Sequence, residues 1–155
     1  MSQVTPNPEK QLRSFVGKFA PGHQTLLRAV RKILRGKFPT AHELVYDNYN
    51  FFVIGYCPSE RPSDCIFSMA ADANGVRLCF MHGASLPDPK NVLCGSGKQT
   101  RFLPVESAQT LSRPEVSGLL RAAVVRSVTP MPTTGDGKLV IRSVSAKQRP
   151  RKKKT

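Results

Sequence analysis

Carboxylates are scarce in this chain: ten Asp and Glu stand against 24 Lys and Arg, a formal net charge of +14. That balance argues against an acidic surface built to collect metal ions. It attracts polyanions instead, nucleic acid and acidic lipid among them. Histidine is sparse as well. His23, His42 and His82 are scattered, with no G-x-S-x-G or Cys–His signature beside them, so nucleophilic catalysis lacks its residues. The four cysteines, Cys57, Cys65, Cys79 and Cys94, contain no C-x-x-C pair and no histidine at zinc spacing. Reduced thiols, no metal and no cofactor are therefore expected. No apolar run approaches the ~20 residues of a membrane-spanning helix. The leading MSQVTPNPEKQ has no apolar signal core. The expectation is a cytoplasmic, non-enzymatic protein; nothing in the pattern specifies an oligomeric state.

What is present fits one domain and a tail. The 155 residues are 39% hydrophobic, enough for a modest core once a polar tail is set aside. The charge is uneven. After Arg126 there are eight cations and a single acid, Asp136. Residues 1–10 read as a polar lead, 11–128 as an α+β domain, and 129–155 as a basic, disordered tail. In that tail, Lys147, Arg149, Arg151, Lys152, Lys153 and Lys154 are the candidate nucleic-acid contacts. The plainer alternative is a solubilising segment.

Hydrophobic spacing places the elements. Leu12, Phe15, Val16 and Phe19 share one helical face, and Pro21-Gly22 follows as a break. A second helix over 23–35 turns Leu26, Val30, Ile33 and Leu34 inward, with Gly36 as its stop. Its other side carries Arg28, Arg31, Lys32 and Arg35 as a solvated basic stripe. HELVYD (His42–Asp47) and FFVIGY (Phe51–Tyr56) read as strands. CIFSMAA and VRLCFM form a hairpin through Asp72-Ala73-Asn74-Gly75, since Asn-Gly favours the tight hairpin turn. RFLP is an edge strand, where Pro104 is tolerated. Ser112-Arg113-Pro114-Glu115 looks like a capping box for a last helix. KLVIRSV (Lys138–Val144) is an isolated apolar island, a stray strand or a partner-binding segment. The fold expected is an antiparallel sheet of about five strands with helices packed on one face.

The best candidate ligand site is GSGKQTR (Gly95–Arg101). It is no P-loop: Val92 stands where a Walker motif needs glycine, and an extended RFLP follows instead of a helix. Gly95 and Gly97 would offer backbone amides to a small anion, with Lys98 and Arg101 as counter-charges. Tyr46, Tyr49 and Asn50, at a strand end, would add stacking and orientation if the chain brings them alongside.

Four pieces, taken in order, resemble the YdhG-like family, known as domain of unknown function 1801. They are LLRAVRKILRGKFP leading into HELVYDNYNFFVIGY, the hairpin DCIFSMAADANGVRLCFMHGASLPDP, the segment GSGKQTRFLPVES, and the closing helix after Arg113-Pro114. The resemblance spans about residues 15–126 and implies an antiparallel sheet covered by helices on one side. Some relatives are described as frataxin-like iron carriers. That role needs acidic ligands, whereas the first two helices here carry only Glu9. Phe102 stands where many relatives have a histidine.

Overall fold

The computed structural model of the protein describes residues 7–153. Helix α1 (Pro8–Val16) starts where Asn7 accepts a hydrogen bond from the Glu9 amide at 2.9 Å, with Pro8 in the first turn. Helix α2 (Pro21–Lys37) follows after a short turn. Pro21 begins this helix rather than merely ending the previous one, because its missing N–H is one the first turn leaves unpaired anyway. Gly36 lies inside α2, and Phe38 is the cap.

The sheet has six strands: β1 (His42–Asp47), β2 (Phe52–Cys57), β3 (Phe67–Asp72), β4 (Gly75–Phe80), β5 (Arg101–Val105) and β6 (Leu139–Val144). Their spatial order is β5-β4-β3-β2-β1-β6. All pairs are antiparallel except β1 with β6, which run parallel. Helix α3 (Pro114–Val125) lies in the long connection that carries the chain from one sheet edge to the other. A parallel neighbour requires such a crossover. The sheet is thus one strand larger than expected and not wholly antiparallel. The additional strand is the apolar island of the presumed tail.

The pairing register puts Val45, Ile54, Met69 and Leu78 on one face, with Phe52, Tyr56, Phe67 and Phe80 beside them. These join Leu12, Phe15, Phe19, Leu27, Val30, Leu34, Val116, Leu119 and Leu120 from the helical segments in one core. Phe67 is its centre, stacked on Tyr56 at 5.3 Å and tilted against Phe38 at 5.2 Å. Burying each such ring contributes roughly 1.5–3 kcal/mol. The opposite face carries Leu44, Tyr46, Val53, Gly55, Cys57, Ser68, Ala70, Arg77, Cys79 and Phe102.

Two local expectations change at α3 and its approach. Ser112 caps nothing; its hydroxyl donates to the Gln109 carbonyl at 2.9 Å, finishing a 3-10 turn over Ala108–Ser112. Arg113 is the residue at the helix N-terminus instead, and Pro114 starts the helix.

Candidate functional site

The GSGKQTR turn lies at the β5 edge and is exposed from Gly95 to Thr100. Gly95 has φ +120°, a conformation that favours glycine. Arg101 faces into its own loop, donating to the Gly97 carbonyl at 2.5 Å and the Thr100 carbonyl at 2.9 Å. Its guanidinium therefore clasps the turn. Lys98 is exposed.

The pairing register shows that Tyr46, Tyr49 and Asn50 do not meet this turn. Arg101 pairs with Phe80, Phe80 with Phe67, Phe67 with Tyr56 and Tyr56 with Glu43, so the turn sits at the Glu43 end of the sheet. The β1–β2 turn carrying Tyr49 and Asn50 sits at the Asp47 end. Strands β4, β3 and β2 also intervene between β5 and β1. At the usual strand spacing that alone separates them by about 19 Å. The composite pocket expected from sequence does not form, because β1 and β5 belong to opposite sides of the sheet.

What the Tyr49 end does meet is the tail. Asp47 is fully buried, and it accepts from Lys18 Nζ at 2.7 Å and from Arg151 Nη2 at 2.9 Å. Gln148 Nε2 and the Ser145 amide donate to the Asp47 carbonyl. Arg151 also donates to the Asn48 carbonyl at 2.6 Å and is 4% exposed. Burial alone would raise the Asp47 pKa, but the hydrogen bonds from Lys18, Arg151 and Gln148 outweigh it and hold the carboxyl below its ordinary value. The tail is accordingly not a loose segment where it is described. Within the expected tail of 129–155, strand β6 pairs with β1 and the Arg151 anchor holds the end of the segment on Asp47.

This anchoring sorts the tail cations. Arg151 points inward and is spent on Asp47. Arg149 and Lys152, on either side of it, are exposed. The Arg149 guanidinium lies 5.6 Å from the Tyr49 ring centre, and the Arg149 amide donates to the Tyr49 carbonyl. Arg149 and Lys152 line a cleft of about 380 Å³ with Asn50, Phe51 and the β3–β4 turn residues Asp72 to Asn74. Lys147 and Lys153 are exposed nearby in sequence, and Lys154 lies outside the described residues.

From that cleft the pattern continues onto the sheet face that the helices leave free. Arg77 lies 5.3 Å from the Phe51 ring centre and 5.1 Å from that of Phe102. Its reach is permitted by Ala70, the small residue that pairs with both Val53 and Arg77 across β3. Cations over aromatic faces are attracted by the ring quadrupole. Further along this face, burial pushes the Tyr46 hydroxyl above its ordinary pKa, opposed by nearby Arg142.

The basic stripe of α2 is also less free than its spacing implied. Arg31 donates to Glu9 and Glu43, at 2.8 and 2.9 Å for the closest contacts. The Tyr56 hydroxyl donates to the same Glu43 at 3.0 Å. Glu43 is buried on the core face, so Arg31 neutralises a core charge instead of waiting for a partner. The sequence did carry a sign of both anchors. Glu43 and Asp47 are in phase with Val45 in β1, which puts two carboxylates on the core face and obliges each to find a cation.

A second cleft, of about 450 Å³, opens at the other end of the sheet between the β2–β3 loop and the end of α3. Arg61, Asp64, Cys65, His82 and Arg126 line it over an apolar floor of Ile66, Phe80 and Leu86. Asp64 is engaged by the Ser59 hydroxyl at 2.6 Å, and Arg126 by the Ser85 carbonyl at 2.5 Å. Among the described residues, no three His, Cys, Asp or Glu side chains gather as metal ligands. Among them too, no helix is long and apolar enough to cross a membrane. Comparison of the chain with protein-family models, curated proteins and solved structures finds no match in any of the three.

Proposed function

We propose that this chain is a non-enzymatic, YdhG-like nucleic-acid-binding module that takes up a single strand. The strand would cross the helix-free sheet face and end at the anchored tail. Single-strand binders pair aromatic platforms for the bases with cations that track the phosphates. Both features meet here. Tyr49, Phe51 and Phe102 supply π-faces, and Arg149, Lys152 and Arg77 supply charge beside them. The observation that carries the reading is the inward turn of Arg151, which leaves Arg149 and Lys152 facing solvent next to Tyr49 and Phe51. A duplex would find the phosphate contacts but could not present unpaired bases to the rings. The GSGKQTR turn has less support as an anion site, since Arg101 is occupied by the turn's own carbonyls.

Fluorescence anisotropy with labelled single-stranded DNA and RNA, and with a duplex of the same length, tests the proposal. Single strands should bind more tightly than the duplex. Affinity should fall with salt, by a logarithmic slope of roughly 0.7 per phosphate neutralised. Arg149→Ala with Lys152→Ala should reduce that slope. No single-strand binding at low salt, or equal affinity for duplex, would rule it out.

A further inference from the structure

The four cysteines differ in setting. Cys94 is exposed in the β4–β5 connection, and Cys79 lies on β4, where burial pushes its thiol up. Cys57 and Cys65 instead share one small space. Cys57 ends β2 and is fully buried; Cys65 lies just before β3 and is partly exposed. Both line an apolar cavity of about 190 Å³ over Gly55. A Cβ placed on Gly55 would stand 3.0 Å from Cys65 Sγ and 3.8 Å from Cys57 Sγ. The two sulfurs therefore border the same gap, left open because residue 55 has no side chain. Cys65 also lines the 450 Å³ cleft, with Arg61, His82 and Arg126 in the same wall. It is the one of the pair with a route to solvent, through a wall that also holds Asp64.

We propose that Cys65 and Cys57 are a peroxide-responsive thiol pair, Cys65 being attacked from the cleft and Cys57 resolving the product as an intramolecular disulfide. The Cys65 thiolate attacks one peroxide oxygen and the O–O bond breaks. The other oxygen leaves with a proton as water or alcohol, and Cys65 becomes a sulfenic acid. The Cys57 sulfur then attacks the Cys65 sulfur. The S–O bond breaks, and hydroxide departs as water with the Cys57 proton. The two thiols lose two electrons and the hydroperoxide gains them. The closeness of the two thiols holds the Cys65 pKa below its ordinary value and pushes that of Cys57 up, the directions an attacking and a resolving role need, while the Cys65 thiol donates to the Phe67 carbonyl at 3.4 Å. The link would tie the Cys57–Cys65 loop, with its 3-10 turn at Pro62–Asp64, to the end of β2. This inference does not depend on nucleic-acid binding.

The test treats the full chain with stoichiometric hydrogen peroxide and maps disulfides by mass spectrometry without reduction. A Cys57–Cys65 linked peptide, reversed by dithiothreitol, is expected in the wild type and in the Cys79→Ser, Cys94→Ser double variant. With Cys57→Ser added, dimedone should label Cys65. With Cys65→Ser added, Cys57 should remain a free thiol. Circular dichroism of each variant confirms the fold, and the wild-type map stands without any substitution. Absence of the linked peptide at a peroxide dose that oxidises Cys94 overturns the proposal, as does labelling of Cys57 in the Cys65→Ser variant.

Discussion

Asp47 and Arg151 form a buried ion pair of 2.9 Å between residues 104 positions apart in the chain. Neither side chain has appreciable contact with solvent. Arg151 Nε and Nη1 are buried without a hydrogen-bond partner among the described residues, so the guanidinium depends on Asp47 and the Asn48 carbonyl. One pair thus fixes both the end of β1 and the direction in which the neighbouring tail cations point.

Breaking that pair from one side should be costly. Removing one partner of a buried ion pair costs up to about 3–5 kcal/mol when the other charge is left alone. Here Lys18 stays on Asp47 at 2.7 Å, so the loss should be smaller, about 1–3 kcal/mol, the scale of a lost charged hydrogen bond. Arg151→Ala should lower the urea midpoint accordingly and free the tail to trypsin. A loss below about 1 kcal/mol would mean that water replaces the guanidinium without penalty.

Acid should act on the same contact. The Asp47 carboxyl is held below its ordinary value of 3.8, so it binds a proton less readily folded than unfolded. Its contribution is fully present above the unfolded pKa and disappears as pH falls through the folded pKa. Glu9, held down chiefly by its hydrogen bonds to Arg31, loses its contribution in the same direction. Thermal unfolding followed from neutral pH down to strong acid should therefore show stability falling below about pH 4. Asp47→Asn should flatten that fall while lowering the neutral plateau. An unchanged acid limb in the variant would place the titrating group elsewhere.

Gly137 tests the docking of β6. A Cβ there would overlap the Ala41 carbonyl just before β1. The Gly137 amide also donates to the Pro39 carbonyl at 3.0 Å, so the backbone has little room to move away. Gly137→Ala should cost roughly 1–3 kcal/mol, the usual scale of overpacking. Hydrogen exchange should quicken at the β1 and β6 amides and remain slow in the β3–β4 hairpin. Wild-type exchange throughout would mean that the strand tolerates a shift.

The two ends of the sheet can be told apart by substitution. Tyr49→Ala and Phe51→Ala should each weaken single-strand binding by about 1–3 kcal/mol, the scale of one lost base stack. Lys98→Ala, at the far end beyond β5, should leave that affinity within error. Anisotropy titrations at one salt concentration suffice. An effect of Lys98 equal to that of Tyr49 would return the site to the GSGKQTR turn.

Local signals in the sequence carry their structure with them, whereas contacts between distant segments leave no local mark. Asp72–Gly75 announced its hairpin, because a tight turn is decided by its own few residues. The apolar faces of α1 and α3 are legible because helical spacing reports burial directly. In α2 the spacing turns Leu26 and Ile33 inward, whereas Leu27 is buried with Val30 and Leu34, and Leu26 and Ile33 are half-buried. Pro104 was placed at an edge for want of an amide donor, and β5 is an edge strand. The sixth strand was not assigned to the sheet. Its partner β1 is remote in sequence, and an apolar island beside a charge run looks the same whether docked or free. Arg151 was indistinguishable from Arg149 and Lys152 for a similar reason: only the buried Asp47 selects it. The separation of Tyr49 from Lys98 follows from strand order, which short-range patterns do not encode.

The parallel pairing of β6 with β1 has a consequence in time. His42 and Lys138, at the start of that pairing, are 96 positions apart. During synthesis β1 is made long before its outer neighbour and must hold an unpaired edge meanwhile, a surface prone to join another chain. Closing so long a loop comes late in folding. Arg149 and Lys152 take their places only after that closure. A nascent or truncated chain would therefore have a formed β3–β4 hairpin well before the cleft lined by Arg149 and Lys152 exists, so that the cleft itself reports the docking of β6.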